Sequence, residues 1–520
     1  MSERFDVAVA GAGFAGSLFA MIAQRLGHSV VLLERGRHPR MAIGESSTPL
    51  SNLLLEELAT RYDLPNLRPL TKWGSWRDSH PELVCGLKRG FSFFHHASAS
   101  DAAIQRENQL LVAASPHDGI ADTHWYRADF DNFLVKEAQS IGVTYVDEAT
   151  LQSFKQERNH ARLSGRRNGS ILEISARFVV DATGPRGFLH RTLQLGEREL
   201  PGLPATQAIY SHFTGVQRLA TTGGISLDEQ PPYPVDDAAI HHIFRDGWVW
   251  VLHFCNDVTS TGIAATPSLA NELHFDAPQA AWEHMLQRAP ILQAQFQNAK
   301  AIQPFRHIPR LAFRSASFTG RKWALLPSAA GFVDPLLSTG FPLTLFGVSR
   351  LAEILECDWD TDRFEVNLQN YADKSDAELL AASRLIGSLY ANLGNFPVFS
   401  ALTLLYFAAA SYAETAHRLG RPELASSFLL CDHPAFGPSL TRILQLASSP
   451  DAAGYSPAII EEILRIIEPI DVAGLGKRNR RNWYPVEAED LLQAAHKVGA
   501  TREEIVQMLA RCGFSALATS

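Results

Sequence analysis

The feature that most constrains this chain is a short apolar run that ends in three spaced glycines. Phe5–Gly16 reads FDVAVAGAGFAG. Val7–Ala10 has the length and composition of a buried parallel strand, and Gly11, Gly13 and Gly16 follow at once. Gly11 permits a tight turn, Gly13 lets the backbone approach a pyrophosphate, and Gly16 lets the next helix pack close to the strand. That helix starts near Phe14-Ala15, and its N-terminus faces the anion. A second apolar run, Ser29–Leu33, ends at Glu34, followed by Arg35. Glu34 lies 23 residues after Gly11, where a ribose-binding carboxylate is expected. A lone G-x-G-x-x-G is weak, but strand, turn, helix, strand and acid occur here in the right order. A dinucleotide-binding unit follows, with NAD and FAD both open at this point.

The 520 residues leave room for two or three structural units. Apolar residues make up 46% and charged residues 20%, which is ordinary for a globular chain, and a net charge of −8 argues against broad nucleic-acid binding. The five cysteines, at 85, 255, 357, 431 and 512, form no C-x-x-C pair and no metal-ligand spacing. They suit a reducing compartment. With no basic n-region or apolar h-region at the N-terminus, the expected location is the cytoplasm. Phe396–Ala413 is the most apolar segment, but Pro397, Ser400, Thr403 and Ser411 interrupt it. It reads as a buried core helix, and no membrane is expected.

Apolar patterning gives four regions: 1–194, a nucleotide domain; 195–320, an inserted antiparallel sheet; 321–348, a return to the first domain; and 349–520, a helical region. Within them, Ser51–Tyr62 reads as a helix and Pro65–Asp78 as irregular. Leu83–Phe93 reads as one strand containing Lys88, with Arg89 pointing to its opposite face. Asp129 reads as the N-cap of a helix, and a further helix starts near Leu343.

Four separated pieces resemble, in their order, the motifs of flavin-dependent halogenases: Gly11–Gly16, Gly44–Pro49 (GESSTP), Trp248/Trp250 in GWVWVLHF, and Gly331–Gly340 (GFVDPLLSTG). The family's W-x-W-x-I-P motif departs here to WVWVLH, with His253 replacing proline. Cys85–Phe93 (CGLKRGFSF) resembles the strand carrying the family's active-site lysine, and this pattern with the long helical tail is most similar to the phenol-acting branch. The resemblance implies an α/β fold with a Rossmann-like FAD domain, an inserted sheet domain for substrate and a helical C-terminal region. It implies FAD, used as FADH2, with chloride or bromide and O2. It assigns Lys88 to steering hypohalous acid toward an electron-rich ring, and Gly44, Glu45, Ser46, Ser328, Asp334, Pro335 and Phe341 to the flavin. It places halide at Ser338, Thr339 and Gly340, and makes Trp248 and Trp250 the screen between flavin and substrate.

The residue types fit these roles. An amine buried among apolar groups has a lowered pKa and can capture halogen, and a helix start offers N–H groups to a halide. Other flavoproteins often carry Gly-Asp where this chain has Pro327-Ser328, which weakens the Ser328 assignment. Tryptophan halogenases place a glutamate just before the Ser-Thr-Gly, where this chain has Leu337; leucine cannot serve as a base, which favours a phenolic ring over tryptophan. Phe91, Phe93, Phe94, Trp125 and Tyr126 are candidates for a ring-binding pocket or for ordinary core. His241, His242 and His253 read as structural, since no carboxylate-plus-histidine spacing accompanies them, and no metal is expected.

One dinucleotide fingerprint, with no second one for NAD(P)H, implies a separate NAD(P)H-dependent flavin reductase as partner. The small aromatic substrate is free or tethered to a carrier protein, and a homodimer is left open. The rival readings are a flavin monooxygenase that hydroxylates or epoxidises its substrate, and a non-catalytic flavin-binding partner.

Overall fold

The structure, a computed structural model, describes residues 3–97, 103–227, 229–449 and 456–514. The chain opens with β1 (Glu3–Ala10), α1 (Phe14–Arg25), β2 (Val30–Leu33), α2 (Pro49–Arg61) and α3 (Trp73–Ser79). Four strands follow: β3 (Cys85–Lys88), β4 (Gly90–His95), β5 (Gln109–Ala113) and β6 (Asp122–Trp125). After α4 (Arg127–Ser140) come β7 (Thr144–Val146), β8 (Ala149–Gln156), β9 (Ala161–Arg167) and β10 (Ser170–Asp181). The middle of the chain adds β11 (Gln207–Thr214), β12 (Ala239–Phe244), β13 (Gly247–His253) and β14 (Val258–Ala265).

The nucleotide-binding half is built on an eight-stranded sheet. Its path runs Thr319–Gly320, Trp323–Leu325, β10, β1, β2, β7, with β9 and β8 extending from β10. The pairs of β1 with β2 and β10, of β2 with β7, and of β10 with Trp323–Leu325 are parallel. Helices cover both faces of such a sheet, which is why Val7–Ala10 and Val30–Leu33 are apolar throughout and buried. The return at Trp323 closes this sheet after more than a hundred residues spent elsewhere.

The second sheet has nine strands, ordered Lys300–Ala301, β11, β14, β13, β12, β4, β5, Trp483–Tyr484, with Arg306–Ile308 also on β11. It is antiparallel except where β12 meets β4 and β5 meets Trp483–Tyr484. It is therefore wider than a sheet confined to 195–320: two strands come from before residue 114 and one from the C-terminal region.

Leu83–Phe93 is not one strand. β3 pairs with β6 in a separate two-stranded sheet, whereas β4 joins the large one. The chain changes sheets at Arg89, whose N–H donates to Asp237 O at 2.6 Å and whose carbonyl accepts from Ala114 N at 2.7 Å. Gly90 then passes so close to β5 that a Cβ there would lie 2.3 Å from Val112 O. Alternation of side chains along the sequence conceals such a break, because both halves remain extended. Three smaller expectations also change. Pro65–Thr71 forms 3₁₀ turns and Trp73–Ser79 is helical, Tyr126 rather than Asp129 caps α4, and the later helix starts at Gly340.

The C-terminal region is dominated by the helices Gly340–Cys357, Arg363–Ala391 and Phe396–Arg418. The last is the one helix among the described residues long and apolar enough to cross a membrane, but 78% of its most apolar window is buried inside the protein. It lies over one face of the nine-stranded sheet, with Phe399 5.8 Å from Phe93 and Phe407 4.8 Å from Phe91, ring centre to ring centre. Its hydrophobicity is that of a core element packed against a sheet.

Candidate active site

The two sheets and the C-terminal helices enclose a cavity of about 1040 Å³. Its wall gathers Gly11, Gly13, Phe14, Ala15, Glu34 and Arg35 from the first βαβ unit, and Gly44, Glu45 and Ser46 from the loop before α2. Trp248 and Trp250 come from β13, and Ser328, Asp334, Pro335, Ser338, Thr339, Gly340 and Phe341 from the return segment. Of the residues assigned to cofactor, halide, screening and catalysis, Gly16 and Lys88 do not line it, and neither do the ring-pocket candidates Phe91, Phe93, Phe94, Trp125 and Tyr126. Gly16 is the packing glycine: a Cβ there would lie 1.9 Å from Gly11 O.

The fingerprint end has the chemistry of a dinucleotide cradle. Gly11 has φ +98°, and a Cβ on it would sit 2.6 Å from Ala182 O. Glu34 caps the turn with its carboxylate, Oε2 accepting from Ala12 N at 3.0 Å and Oε1 from Gly36 N at 2.9 Å. Burial works to raise the Glu34 carboxyl, but Arg40 and these two N–H groups outweigh it and hold the pKa low. Beside Gly13, a Cβ would meet Arg127 Nη2 at 3.6 Å and Arg40 Nη2 at 3.8 Å. Two guanidinium groups thus flank the α1 N-terminus, where a pyrophosphate would lie. Arg127 is fixed by Asp131, at 2.7 and 2.9 Å, and by the carbonyls of Ile43 and Gly44. Sequence reasoning missed Arg40; its signal was the basic turn Arg35–Arg40. In the next loop, Glu45 Oε1 meets His212 Nε2 at 3.0 Å, both side chains buried.

Lys88 ends β3 behind this wall and is fully buried. Its ammonium donates to Ser46 Oγ at 2.9 Å and to the Ser47 carbonyl, and stands 3.7 Å over the Phe91 ring. Ser46 lines the cavity, so one hydroxyl separates the amine from it. Burial pulls Lys88 well below the ordinary lysine pKa, with Asp122 acting in the opposite sense. Asp122 is its cross-strand partner on β6. Burial pushes the Asp122 carboxyl up, its Oδ1 accepts from Asn52 Nδ2 at 2.7 Å, and its Oδ2 has no hydrogen-bond partner among the described residues. Neither Asp122 nor Asn52 was visible as a site residue in the sequence, because the register that brings them to Lys88 is tertiary.

The return segment is tightly bent. Leu337 (φ +63°) and Ser338 (φ +56°) both occupy the left-handed region, which costs about 1 kcal/mol or more for each non-glycine residue. The double bend turns Thr339 and Gly340 into the cavity at the start of the Gly340–Cys357 helix, whose first N–H groups have no side-chain cap. A Cβ at Gly340 would meet nothing within 4 Å. Three contacts hold the bend. Asp334 Oδ1 accepts from Leu336 N at 3.0 Å, Tyr406 Oη donates to the Leu337 carbonyl at 3.1 Å, and Tyr390 Oη donates to Asp334 Oδ2 at 3.0 Å. Tyr390 in turn accepts from Trp248 Nε1 at 3.1 Å. Burial raises the Asp334 carboxyl to about 6, against the bonds from Leu336 and Tyr390.

Trp248 and Trp250 share a face of β13 with 5.7 Å between ring centres, and both line the cavity. His253, the departure from the family motif, bonds Thr259 at 3.0 Å and does not line it. Phe94 also points away, into the separate core on the other face of the sheet. His241, read as structural from sequence, is part of the wall.

The family model for tryptophan halogenases matches residues 94–393, more than half of the chain. The chain belongs to the flavin-dependent halogenase family. Such halogenases are FAD-dependent enzymes that use halide and O2. The fingerprint, Ser46 and Lys88 precede the matched stretch, and the return segment falls inside it. Among halogenase relatives, the tetracycline 7-halogenase of Kitasatospora aureofaciens is 27% identical over 424 residues, spanning 78% of this chain and 73% of that protein. The monodechloroaminopyrrolnitrin halogenase PrnC of Pseudomonas fluorescens is 27% identical over 375 residues, 70% of this chain and 64% of that one. In three dimensions, the crystal structure of halogenase PltM in complex with phloroglucinol and FAD superposes with a TM-score of 0.81 at 22% identity, covering 92% of this chain and 99% of that one.

Proposed function

We propose that this halogenase installs chloride or bromide on an electron-rich, phenolic ring, with Lys88 steering hypohalous acid to the reacting carbon. The observation that carries the reading is the setting of Lys88: a buried amine, one hydroxyl away from the cavity, packed on Phe91, whose ring stacks on the wall residue His241 beside Trp248. The cavity fits FAD, with a glycine turn, a ribose-seeking carboxylate and two guanidinium groups beside the α1 N-terminus. Gly11, Gly13, Glu34, Arg40 and Arg127 would hold its ADP half, and Ser328, Asp334, Pro335 and Phe341 its flavin half. When bound in reduced form, FAD supplies, with O2, the oxidation of halide to hypohalous acid.

The chain's own residues then do three things. Ser338–Gly340 hold halide at the uncapped start of the Gly340–Cys357 helix, where backbone N–H groups and the helix dipole favour an anion. Trp248 and Trp250 separate the oxidant-forming space from the ring, which keeps organic substrate away from direct oxygenation. Lys88 receives the hypohalous acid, either by donating a hydrogen bond from its ammonium or, as the free amine that burial favours, by accepting halogen on nitrogen. Leu337, buried and apolar, offers no base at the position before Ser338, so the ring must bring its own activation, as a phenol does.

In this reading 321–348 and most of 1–194 act as the flavin unit, 195–320 together with β4, β5 and Trp483–Tyr484 supplies the sheet against substrate, and the rest of 349–520 closes over the pocket. A separate cytoplasmic NAD(P)H-dependent reductase delivers the reduced flavin, and the aromatic substrate arrives free or on a carrier. The test is incubation with a flavin reductase, NADH and chloride or bromide against phenols, indoles and pyrroles, reading isotope patterns by mass spectrometry. Halogenated phenols are expected. A hydroxylated product that forms without halide would overturn the reading in favour of a monooxygenase.

A further inference from the structure

β12 aligns its side chains with those of β4 and β13: His241 stands beside Phe93 on one neighbour and Trp250 on the other. Its ring is stacked on Phe93 (4.5 Å, 19°), lies 5.3 Å from Trp248, and is stacked on Phe91 at 6.0 Å. Phe91 is the ring over which the Lys88 ammonium sits. His241 thus lines the cavity on one side and packs on the other against Phe91, the ring under Lys88.

His241 Nδ1 lies 3.3 Å from the Ser92 carbonyl, which can only accept, so that bond uses the Nδ1–H tautomer. Burial, reinforced by Lys88, lowers the His241 pKa to about 3, so the ring is neutral at working pH. Nε2 is then a lone-pair acceptor on a ring that lines an aromatic cavity.

We infer that His241 is a catalytic residue that accepts the hydrogen bond of the substrate's phenolic O–H and orients the ring toward Lys88. This rests on the phenolic reading above. The chemistry balances without a further reagent. As the ring carbon bonds to halogen, the O–X or N–X pair leaves with the oxygen of hypohalous acid or with the Lys88 nitrogen. The phenolic O–H, only weakly acidic in the free substrate, becomes strongly acidic as the dienone forms, and its proton passes to Nε2. The ring carbon then loses its own proton, to hydroxide or to the Lys88 amine, and Nε2 returns the first proton to oxygen, restoring the phenol. With hypohalous acid the net products are the halophenol and water. An imidazole of low basicity is sufficient because its donor is acidic at that moment, and it leaves Lys88 free for halogen.

The test compares a phenol with its methyl ether, which has the same ring but no O–H. Binding of each to the oxidised FAD enzyme is measured by calorimetry, and halogenation of each with reductase, NADH and bromide. Wild type is expected to prefer the phenol in both. His241→Phe should weaken phenol binding about tenfold, the order expected for one hydrogen bond, and leave the ether unchanged, so the preference collapses. His241→Gln, which restores an acceptor, should recover part of it. Retained FAD marks each variant as folded, and if His241→Phe loses FAD then His241→Leu replaces it. An unchanged phenol-to-ether ratio in a wild type that halogenates phenols overturns the His241 assignment alone. A wild type that halogenates no phenol overturns the phenolic reading, and this inference with it.

Discussion

The Lys88 ammonium donates to Ser46 Oγ at 2.9 Å, joining the end of a strand to the loop that borders the cavity. The two residues are 42 apart in sequence, and neither means much alone. Together they put a desolvated amine within one hydroxyl of a cavity that also holds the fingerprint and the return segment. The serine hydroxyl ties the buried amine to the cavity wall.

Asp122 opposes the desolvation of Lys88, since a carboxylate favours the charged amine. Asp122→Asn removes that support, so the lysine loses its proton at lower pH than in wild type. The limb of the halogenation pH–rate profile that belongs to Lys88 should shift to the acid side. FAD affinity should not change, because Asp122 lies outside the cavity wall. A profile that stays in place would mean that Asp122 does not set the state of the lysine.

Thr339 lines the cavity beside the open edge at Gly340. Thr339→Leu fills that space with an apolar group and takes away a hydroxyl. The halide concentration for half-maximal rate should rise about tenfold, the loss of roughly 1.4 kcal/mol of anion binding. Saturation with halide should restore most of the rate. Unchanged halide dependence would move the anion site elsewhere.

Tyr390 accepts from Trp248 and donates to Asp334, so it couples the sheet to the strained return segment. Tyr390→Phe leaves a buried indole N–H and a buried carboxyl oxygen without their partner. We expect a loss of about 1–3 kcal/mol in denaturant unfolding. Asp334, raised to about 6 in the native state, also ties this region to pH. Its folded pKa exceeds the unfolded value, so the folded state binds more protons between the two. Its contribution to stability is fully present below about pH 4 and is lost as pH rises through about 6. Asp334→Asn should flatten that part of the stability curve.

Some of this architecture was legible in the residues. Gly11, Gly13, Gly16 and Glu34 act through local geometry, and their spacing alone places them in a strand, turn and helix. The apolar run around Phe399 announced a buried helix, because an element covered on every side must be apolar. Other features depend on pairing that a linear pattern does not carry. Nothing local distinguishes Leu83–Phe93 as one strand from two strands in different sheets, since Arg89 and Gly90 keep the chain extended through the break. Asp122 reaches Lys88 through the register of β3 with β6, and Tyr390 reaches Trp248 from a helix 142 residues downstream. His241 was read as structural because its place on the cavity wall exists only once the sheet is assembled.

In the proposed reading Lys88 handles the halogen while the fingerprint and the return segment handle the flavin and halide. This division of roles is tested most directly by Lys88→Ala, assayed in parallel for product, FAD binding and reoxidation of reduced flavin by O2. Product formation should fall by about a hundredfold or more, the scale of a lost catalytic group, while FAD affinity and flavin reoxidation stay near wild type. Normal halogenation by Lys88→Ala would show that another group delivers the halogen.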